Sequence, residues 1–198
     1  VNADTKRRII MEEKKYAVLI DGDNISSKYL DSILNEMTKY GIATYKRIYC
    51  DFTSQQSSKW RRLVRDSGIQ AMQQFANTVG KNATDSTLII DAMDILYTGN
   101  VDGFCIVSSD GDFTRLAIRL KESGMDVIGM GESKTPRSFR AACTVFTDLE
   151  ILYEAESEDD EISTKGKKAA VKHNVVKVSE IENVIIEIIN ENNNKGRR

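Results

Sequence analysis

The chain has 198 residues, of which 40% are hydrophobic and 29% charged, a composition typical of a soluble globular protein with one ordinary domain and room for a tail. A formal net charge of −2 excludes a globally basic surface, so any nucleic-acid-binding surface must be local. No apolar run approaches a bilayer span, and residues 1–15 lack the apolar segment of a secretory signal. We therefore expect a cytoplasmic protein with no membrane partner.

The cysteines and the histidine argue against several kinds of site. Cys50, Cys105 and Cys143 show no paired spacing and fall in or beside apolar runs, so we interpret them as reduced core residues. The only histidine, His173, lies in a charged segment outside the main apolar pattern. This position argues against a zinc centre and against histidine acid–base catalysis.

Strand and helix patterns alternate along the first 150 residues. An apolar run at 16–20 predicts a buried strand, and the spacing over 28–40 predicts a helix that ends before Gly41. Pro136 is expected at the first position of a short helix. Further strands are predicted at 42–49, 69–75, up to 107, 125–130 and 144–146, the last at an edge, with helices at 59–67, 85–97, 113–120 and 137–142. The alternation predicts a three-layer α/β/α fold with a central, mostly parallel sheet.

Acidic residues follow two of the predicted strands directly. Asp21, Asp23 and Asn24 come after the first strand, and Asp110 and Asp112 come after the fourth. Ligands bind at the carboxyl ends of strands in open α/β sheets, so neighbouring strands would bring four carboxylates into one crevice. Like charges about 4 Å apart cost roughly 4 kcal/mol at an effective dielectric near 20, so such a cluster takes up protons or binds cations.

The helix at 85–97 adds a fifth acid. At about 100° per residue, Asp85 lies on the same face as Leu88 and Leu96, whereas Asp94 points away and Asp91 lies on the flank. Oxygen ligands without nearby His or Cys favour Mg²⁺ or Mn²⁺ over zinc. Other roles stay open: Asp112 as an N-cap, Asp85 as a partner of the helix dipole, and the remaining acids as turn formers.

Basic residues gather on the helix predicted at 59–67. They form either a solvated face or a track for a phosphate backbone beside the acids. Trp60, on the same helix, is expected in the core rather than as a stacking platform for bases. The basic residues are Lys59, Arg61, Arg62 and Arg65 on this helix, with Lys46, Arg47 and Lys81 near it.

Charged runs separate the main domain from the C-terminal residues. Six acids occur within 154–161 and four lysines within 165–172, so we expect a flexible linker at 154–174. Residues 175–190 resume a helical apolar pattern, and a single helix of that length either docks on the main domain or begins a further module. The expected organisation is an N-terminal extension at 1–14, a domain at 15–153, the linker, and a C-terminal helix within 175–198.

Four motifs together resemble the NYN family, in its LabA-like branch of PIN-like metal-dependent ribonucleases. They are VLIDGDNI at 18–25, TDSTLIIDAMDILY at 84–97, IVSSDGDFTRLAIRLKESGMDVIGMG at 106–131 and SFRAACTVFTDL at 138–149, within a match of roughly 15–150. One departure is that Ser108 and Ser109 stand where the pattern often has Ser-Gly. Members often carry a C-terminal OST-HTH (LOTUS) module, and residues 175–190 are similar to its opening helix.

The resemblance implies a doubly wound fold and a divalent-metal-dependent endoribonuclease. Its acidic pocket matches Asp21, Asn24, Asp85, Asp110 and Asp112, of which the four aspartates would bind Mg²⁺ or Mn²⁺. Single-stranded or structured RNA would be held by Lys59, Arg61, Arg62, Arg65 and Lys81. A homodimer, and protein partners of the C-terminal module, are further expectations.

Two other functions remain as alternatives to the nuclease. The sequence IDGDNI fits the Asp-x-Asp opening of haloacid-dehalogenase-type phosphatases, in which the first aspartate is the nucleophile. However, no lysine stands in an obvious matching position before the second acid pair. The other alternative is a non-catalytic adaptor that binds RNA or protein.

Overall fold

A computed structural model of the protein describes residues 13–55, 57–75 and 83–157. Six strands form one sheet in the order β3-β2-β1-β4-β5-β6, and every neighbouring pair is parallel. This arrangement confirms the predicted parallel sheet and places β6 at an edge. The strands are β1 Lys15–Asp21, β2 Ile42–Cys50, β3 Gln70–Gln73, β4 Gly103–Val107, β5 Asp126–Gly131 and β6 Val145–Asp148.

Helices connect the strands, and within the described ranges none of them is both long and apolar enough to cross a membrane. Short 3₁₀ turns at Ser27–Tyr29 and Gly111–Phe113 precede the first and fourth of them. The helices are α1 Leu30–Met37, α2 Ser58–Ser67, α3 Ala83–Thr98, α4 Thr114–Glu122 and α5 Arg137–Ala142. Residues 149–157 are also helical.

Two local expectations differ from the structure. Pro136 was expected inside α5, but it stands just before the helix with an extended ψ of 143°. Its carbonyl accepts hydrogen bonds from the amides of Phe139 and Arg140, as an N-cap carbonyl does. The helix at 149–157 also includes the first four residues of the expected linker, and the rest of that linker lies outside the described residues.

The core is divided into two layers by the sheet. Along β1, Val18 and Ile20 face α1 and α2, whereas Ala17 and Leu19 face α3, α4 and α5, because successive side chains of a strand point to opposite faces. Trp60 is buried, as predicted. The three cysteines are buried and free, which also confirms their predicted role. The six strands and the helices on both faces make the expected three-layer α/β/α architecture.

The sheet topology creates a crevice between β1 and β4. Strands β2 and β3 lie to one side of β1, and β4 to β6 lie to the other, so the chain changes direction across the sheet at this point. Open parallel sheets bind ligands at such a switch point, outside the carboxyl ends of the strands. Directly after β1, the backbone at Gly22 packs closely against β2. A Cβ on Gly22 would lie 2.9 Å from Ile48 Cδ1 and 3.1 Å from Cys50 Cβ, so a larger residue does not fit there without a shift of its neighbours.

Candidate metal centre

Three carboxylates converge at the crevice between β1 and β4. One oxygen from each of Asp85, Asp110 and Asp112 lies within 4.8 Å of the others. Two oxygens on opposite sides of a bound Mg²⁺ are about 4.2 Å apart, so small side-chain rotations would bring this group into ligand range. The donors are all carboxylate oxygens, which suits Mg²⁺ or Mn²⁺. The three residues thus fit a divalent cation.

Asp85 carries the electrostatic strain of this cluster. Its side chain enters from the first turn of α3 and is 8% exposed. Burial, and after it the negative charges of Asp21, Asp110, Asp112 and Asp23, together raise the pKa of Asp85 to about 6. The crowding expected from the sequence is therefore present, and either a proton or a cation would relieve it.

Asp21 lies beside the three acids but is held by neutral donors. It is the last residue of β1 and is fully buried. Its Oδ2 accepts hydrogen bonds from Asn24 Nδ2 at 2.8 Å and Ser108 Oγ at 2.7 Å, and its Oδ1 accepts one from the Asn24 amide at 3.3 Å. Burial raises the pKa of Asp21, and the hydrogen bonds from Ser108 and Asn24 oppose that effect. Asp21 is therefore a fixed, buried carboxylate next to the cluster.

Ser108 connects the acids of the two strands, and sequence reasoning did not assign it to the site. Its hydroxyl donates to Asp21 and accepts a hydrogen bond from the Asp110 amide at 3.0 Å. It is fully buried at the end of β4. The signal that could have identified it is its place directly before the second acid pair, where a hydroxyl can accept from the turn that presents those acids.

Asp110 caps the turn that precedes α4. Asp110 Oδ1 accepts a hydrogen bond from the Asp112 amide at 2.9 Å, so Asp110 is the N-cap of the turn that leads into α4. The N-cap role that the sequence leaves open for Asp112 is therefore filled by Asp110. This contact orients the Asp110 carboxylate and fixes the backbone from which Asp112 extends.

Asp23 links three segments around the site. Its Oδ1 accepts from the Cys50 thiol at 3.2 Å and the Asp51 amide at 3.3 Å, and its Oδ2 accepts from Thr84 Oγ1 at 2.8 Å. Thr84 directly precedes Asp85 in the first turn of α3. Through this contact with Thr84, Asp23 helps to hold the first turn of α3 and therefore the backbone of Asp85 in place.

Asp91 and Arg47 form an ion pair outside the carboxylate cluster. Asp91 accepts hydrogen bonds from the Arg47 guanidinium and the Tyr49 hydroxyl, and the side chains of the ion pair are only 19% and 16% exposed. The phosphate-track alternative places Arg47 near the track, but in the structure Arg47 anchors α3 to β2. Asp94, on the opposite face of α3, is exposed as predicted.

The predicted RNA-binding residues are only partly placed near the acids. All four basic residues of α2 are exposed, and Lys59 lines a cleft of about 570 Å³ that also includes Asp23 and Asn24. Arg61 donates to the carbonyls of Phe52 and Ser54 and so holds the loop before α2. Lys81 lies outside the described residues.

Comparison with known proteins gives the chain its relatives. A family model described as the NYN domain matches residues 15–150. The uncharacterised protein MJ0482 of Methanocaldococcus jannaschii is 26% identical over 174 residues, which cover 85% of this chain and 66% of that protein. The chain thus spans just under two thirds of this relative's length. The crystal structure of VPA0982, a Vibrio parahaemolyticus protein of unknown function, shares the fold with a TM-score of 0.58 and 18% identity, covering 69% of this chain and 93% of that one.

Proposed function

The chain belongs to the NYN domain family of the PIN-like nuclease superfamily, and we propose that it is a divalent-metal-dependent endoribonuclease. The observation that carries the proposal is the convergence of Asp85, Asp110 and Asp112 within 4.8 Å at the switch point of the sheet. An acidic cluster at the ligand-binding edge of a sheet repels an RNA phosphate unless a cation neutralises it. The site and the family therefore support the same chemistry.

Each residue of the site has a separate task in this proposal. Asp85, Asp110 and Asp112 would hold Mg²⁺ or Mn²⁺, with Asp21 as a direct or water-mediated fourth ligand. When bound, the cation supplies positive charge that stabilises the transition state at phosphorus and makes a water more acidic. Ser108 keeps Asp21 and Asp110 in register through its two hydrogen bonds. These fixed contacts reduce the reorganisation that the reaction requires.

Substrate binding would use groups on both sides of the acids. The Asn24 amide donates to Asp21, and its carbonyl oxygen and second N–H can orient a water or a phosphate oxygen. The exposed basic residues of α2 begin at the same cleft and would bind the RNA backbone. We propose single-stranded or structured RNA as the substrate.

The phosphatase alternative conflicts with the surroundings of Asp21. A nucleophilic aspartate must be exposed enough for one oxygen to reach phosphorus. Asp21 is fully buried, and both of its oxygens accept hydrogen bonds. This burial disfavours an aspartyl-phosphate intermediate at Asp21.

Cleavage of end-labelled single-stranded and hairpin RNAs in Mn²⁺, Mg²⁺ or EDTA tests the proposal. We expect internal cleavage that needs the metal and falls at least about 100-fold in Asp21→Asn, Asp85→Asn and Asp110→Asn. Asp94→Asn is the matched control, because Asp94 is exposed on the opposite face of α3. If a folded wild-type protein cleaves no RNA with any metal, the nuclease proposal is wrong, and metal-independent RNA binding would then support the adaptor.

A further inference from the structure

The cleft of about 570 Å³ beside the acids lies between the turn after β1 and the start of α2. It includes Asn24, whose side-chain amide donates to Asp21, so it opens directly next to the candidate metal centre. An RNA strand with one phosphate at the acids would place a neighbouring nucleotide in this cleft. This step rests on the proposed nuclease function.

The charges of the cleft favour a base over a phosphate. Among the described residues, two carboxylates, Asp23 and Glu132, line it together with one ammonium group, that of Lys59. Lys134 also pairs with Glu132, so these groups provide no excess of positive charge to attract a phosphate, whereas a neutral nucleobase needs none. The other polar groups include the side chains of Gln55 and Ser58, which suit the edges of an unstacked base.

The two carboxylates differ in their capacity to accept another hydrogen bond. Asp23 already accepts hydrogen bonds at both oxygens. Glu132 pairs through Oε2 with Lys134 at 2.9 Å, and its Oε1 accepts no hydrogen bond from the other described residues. The Glu132 backbone is fixed, since its amide donates to Ser109 Oγ at 2.9 Å and its carbonyl accepts from the Thr135 amide at 2.9 Å.

We propose that this cleft binds one nucleobase of the RNA and that Glu132 recognises its hydrogen-bond donors, with guanine preferred. An ionised carboxylate only accepts hydrogen bonds. Guanine presents N1–H and an amino group side by side, adenine and cytosine each present one amino group, and uracil presents one N–H between two carbonyl oxygens. The expected order of preference is guanine first and uracil last.

Sequencing the products of a random single-stranded RNA pool cleaved in Mn²⁺ tests this proposal. For the wild type we expect guanine to exceed uracil at least about fivefold at one fixed position relative to the cleaved bond. Glu132→Gln should reduce this ratio below about twofold, since the amide replaces an acceptor with a donor. Glu122→Gln, which removes an exposed carboxylate at the end of α4, should keep the wild-type ratio.

The outcomes separate this proposal from the nuclease proposal. Cleavage with equal use of all four bases would overturn base recognition and leave the nuclease intact. Absence of cleavage would overturn the nuclease, and the cleft would then be tested by titrating guanosine and uridine into ¹⁵N-labelled protein in EDTA. Guanosine binding that shifts the amide NMR signals of Ser26 and Ser58 and is weaker in Glu132→Gln would support base recognition in the cleft. Equal binding of the two nucleosides, or binding of neither, would overturn it.

Discussion

The hydroxyl of Ser108 joins two strands that are far apart in sequence, since it donates to Asp21 and accepts from the amide of Asp110. Groups that orient metal ligands in this way tune the affinity of a site for its metal, and their loss typically reduces metal affinity or activity about 10–100-fold. Sequence motifs show that acids follow both strands, but a serine before an acid pair is too common to assign. Its role becomes visible only when β1 and β4 are neighbours.

Ser108→Ala should weaken metal-dependent cleavage without unfolding the protein. Loss of the two hydrogen bonds frees Asp21 and Asp110 to turn, so we expect the Mn²⁺ concentration for half-maximal cleavage to rise about 10–100-fold. Ser109→Ala is the control, because the Ser109 hydroxyl contacts the Glu132 amide and neither aspartate. Equal midpoints for wild type and Ser108→Ala in a Mn²⁺ titration would contradict this role.

Asp85→Asn should stabilise the metal-free protein in a pH-dependent way. The pKa of Asp85 is about 6 in the folded protein, compared with 3.8 for an aspartate without these contacts. Between about pH 4 and pH 6, the folded state therefore keeps a proton on Asp85 that the unfolded state loses. Ionised Asp85 therefore destabilises the wild type increasingly as pH rises from about 4 to 6, and fully above 6. The difference between the two pKa values sets an upper limit of about 3 kcal/mol, and partial solvent contact will reduce it.

Thermal unfolding in EDTA at pH 4.5 and pH 7.5 measures this effect. We expect Asp85→Asn to exceed the wild type in Tm at pH 7.5 and to approach it at pH 4.5. Addition of Mn²⁺ at pH 7.5 should raise the Tm of the wild type more than that of Asp85→Asn, since the cation binds the ionised carboxylate. A pH-independent difference in Tm would contradict the raised pKa.

Helix α3 supplies Asp85, and two sets of contacts hold it against the sheet. Asp23 accepts a hydrogen bond from Thr84 at the start of the helix, and Asp91 binds Arg47 and Tyr49 of β2 about two turns later. The 3.6-residue period predicts the inner face of this helix, including Asp85 and Leu88. It does not predict that Arg47, on a separate strand, pairs with Asp91, because the pairing depends on how α3 lies across β2.

Asp91→Ala should destabilise the protein by about 2–4 kcal/mol, since it leaves the largely buried Arg47 guanidinium and the buried Tyr49 hydroxyl without their carboxylate. Tyr49→Phe removes one of these hydrogen bonds and should cost about 1–2 kcal/mol. Asp94→Ala, on the exposed face of the same helix, should change stability by less than about 0.5 kcal/mol. Urea unfolding of the three variants measures the order of their losses in unfolding free energy. An Asp91→Ala protein as stable as Asp94→Ala would show that α3 needs no such anchor.

For the molecule as a whole, the topology was more predictable than the site. Alternating strand and helix patterns suffice for a parallel sheet, and chain-connection rules bring β1 and β4 together. The strand ends therefore identified Asp21, Asp110 and Asp112 as neighbours of one crevice. Which oxygens converge, that Asp110 caps the turn, and that Glu132 lines the adjoining cleft depend on side-chain rotamers and loop paths, which short-range sequence patterns do not determine.

The C-terminal limit of the domain provides a test at the level of the whole chain. The sequence predicted this limit at residue 153, whereas the helix at 149–157 continues past it. Leu149 is fully buried, and Leu152 packs against the core. The ring of Tyr153 makes an edge-to-face contact with that of Tyr29, with the ring centroids 5.6 Å apart. This helix therefore completes the core layer that covers α1.

A chain ended at residue 157 should fold cooperatively, because both core layers are then complete. A chain ended at residue 148 loses the buried Leu149 and its neighbours, and burial of one leucine alone contributes about 2–5 kcal/mol. We expect the shorter chain to unfold at a clearly lower urea concentration and to lose RNA cleavage with its fold, although every residue of the acidic site remains. Equal urea midpoints for the two chains would show that residues 149–157 lie outside the cooperative unit and that the domain ends at β6.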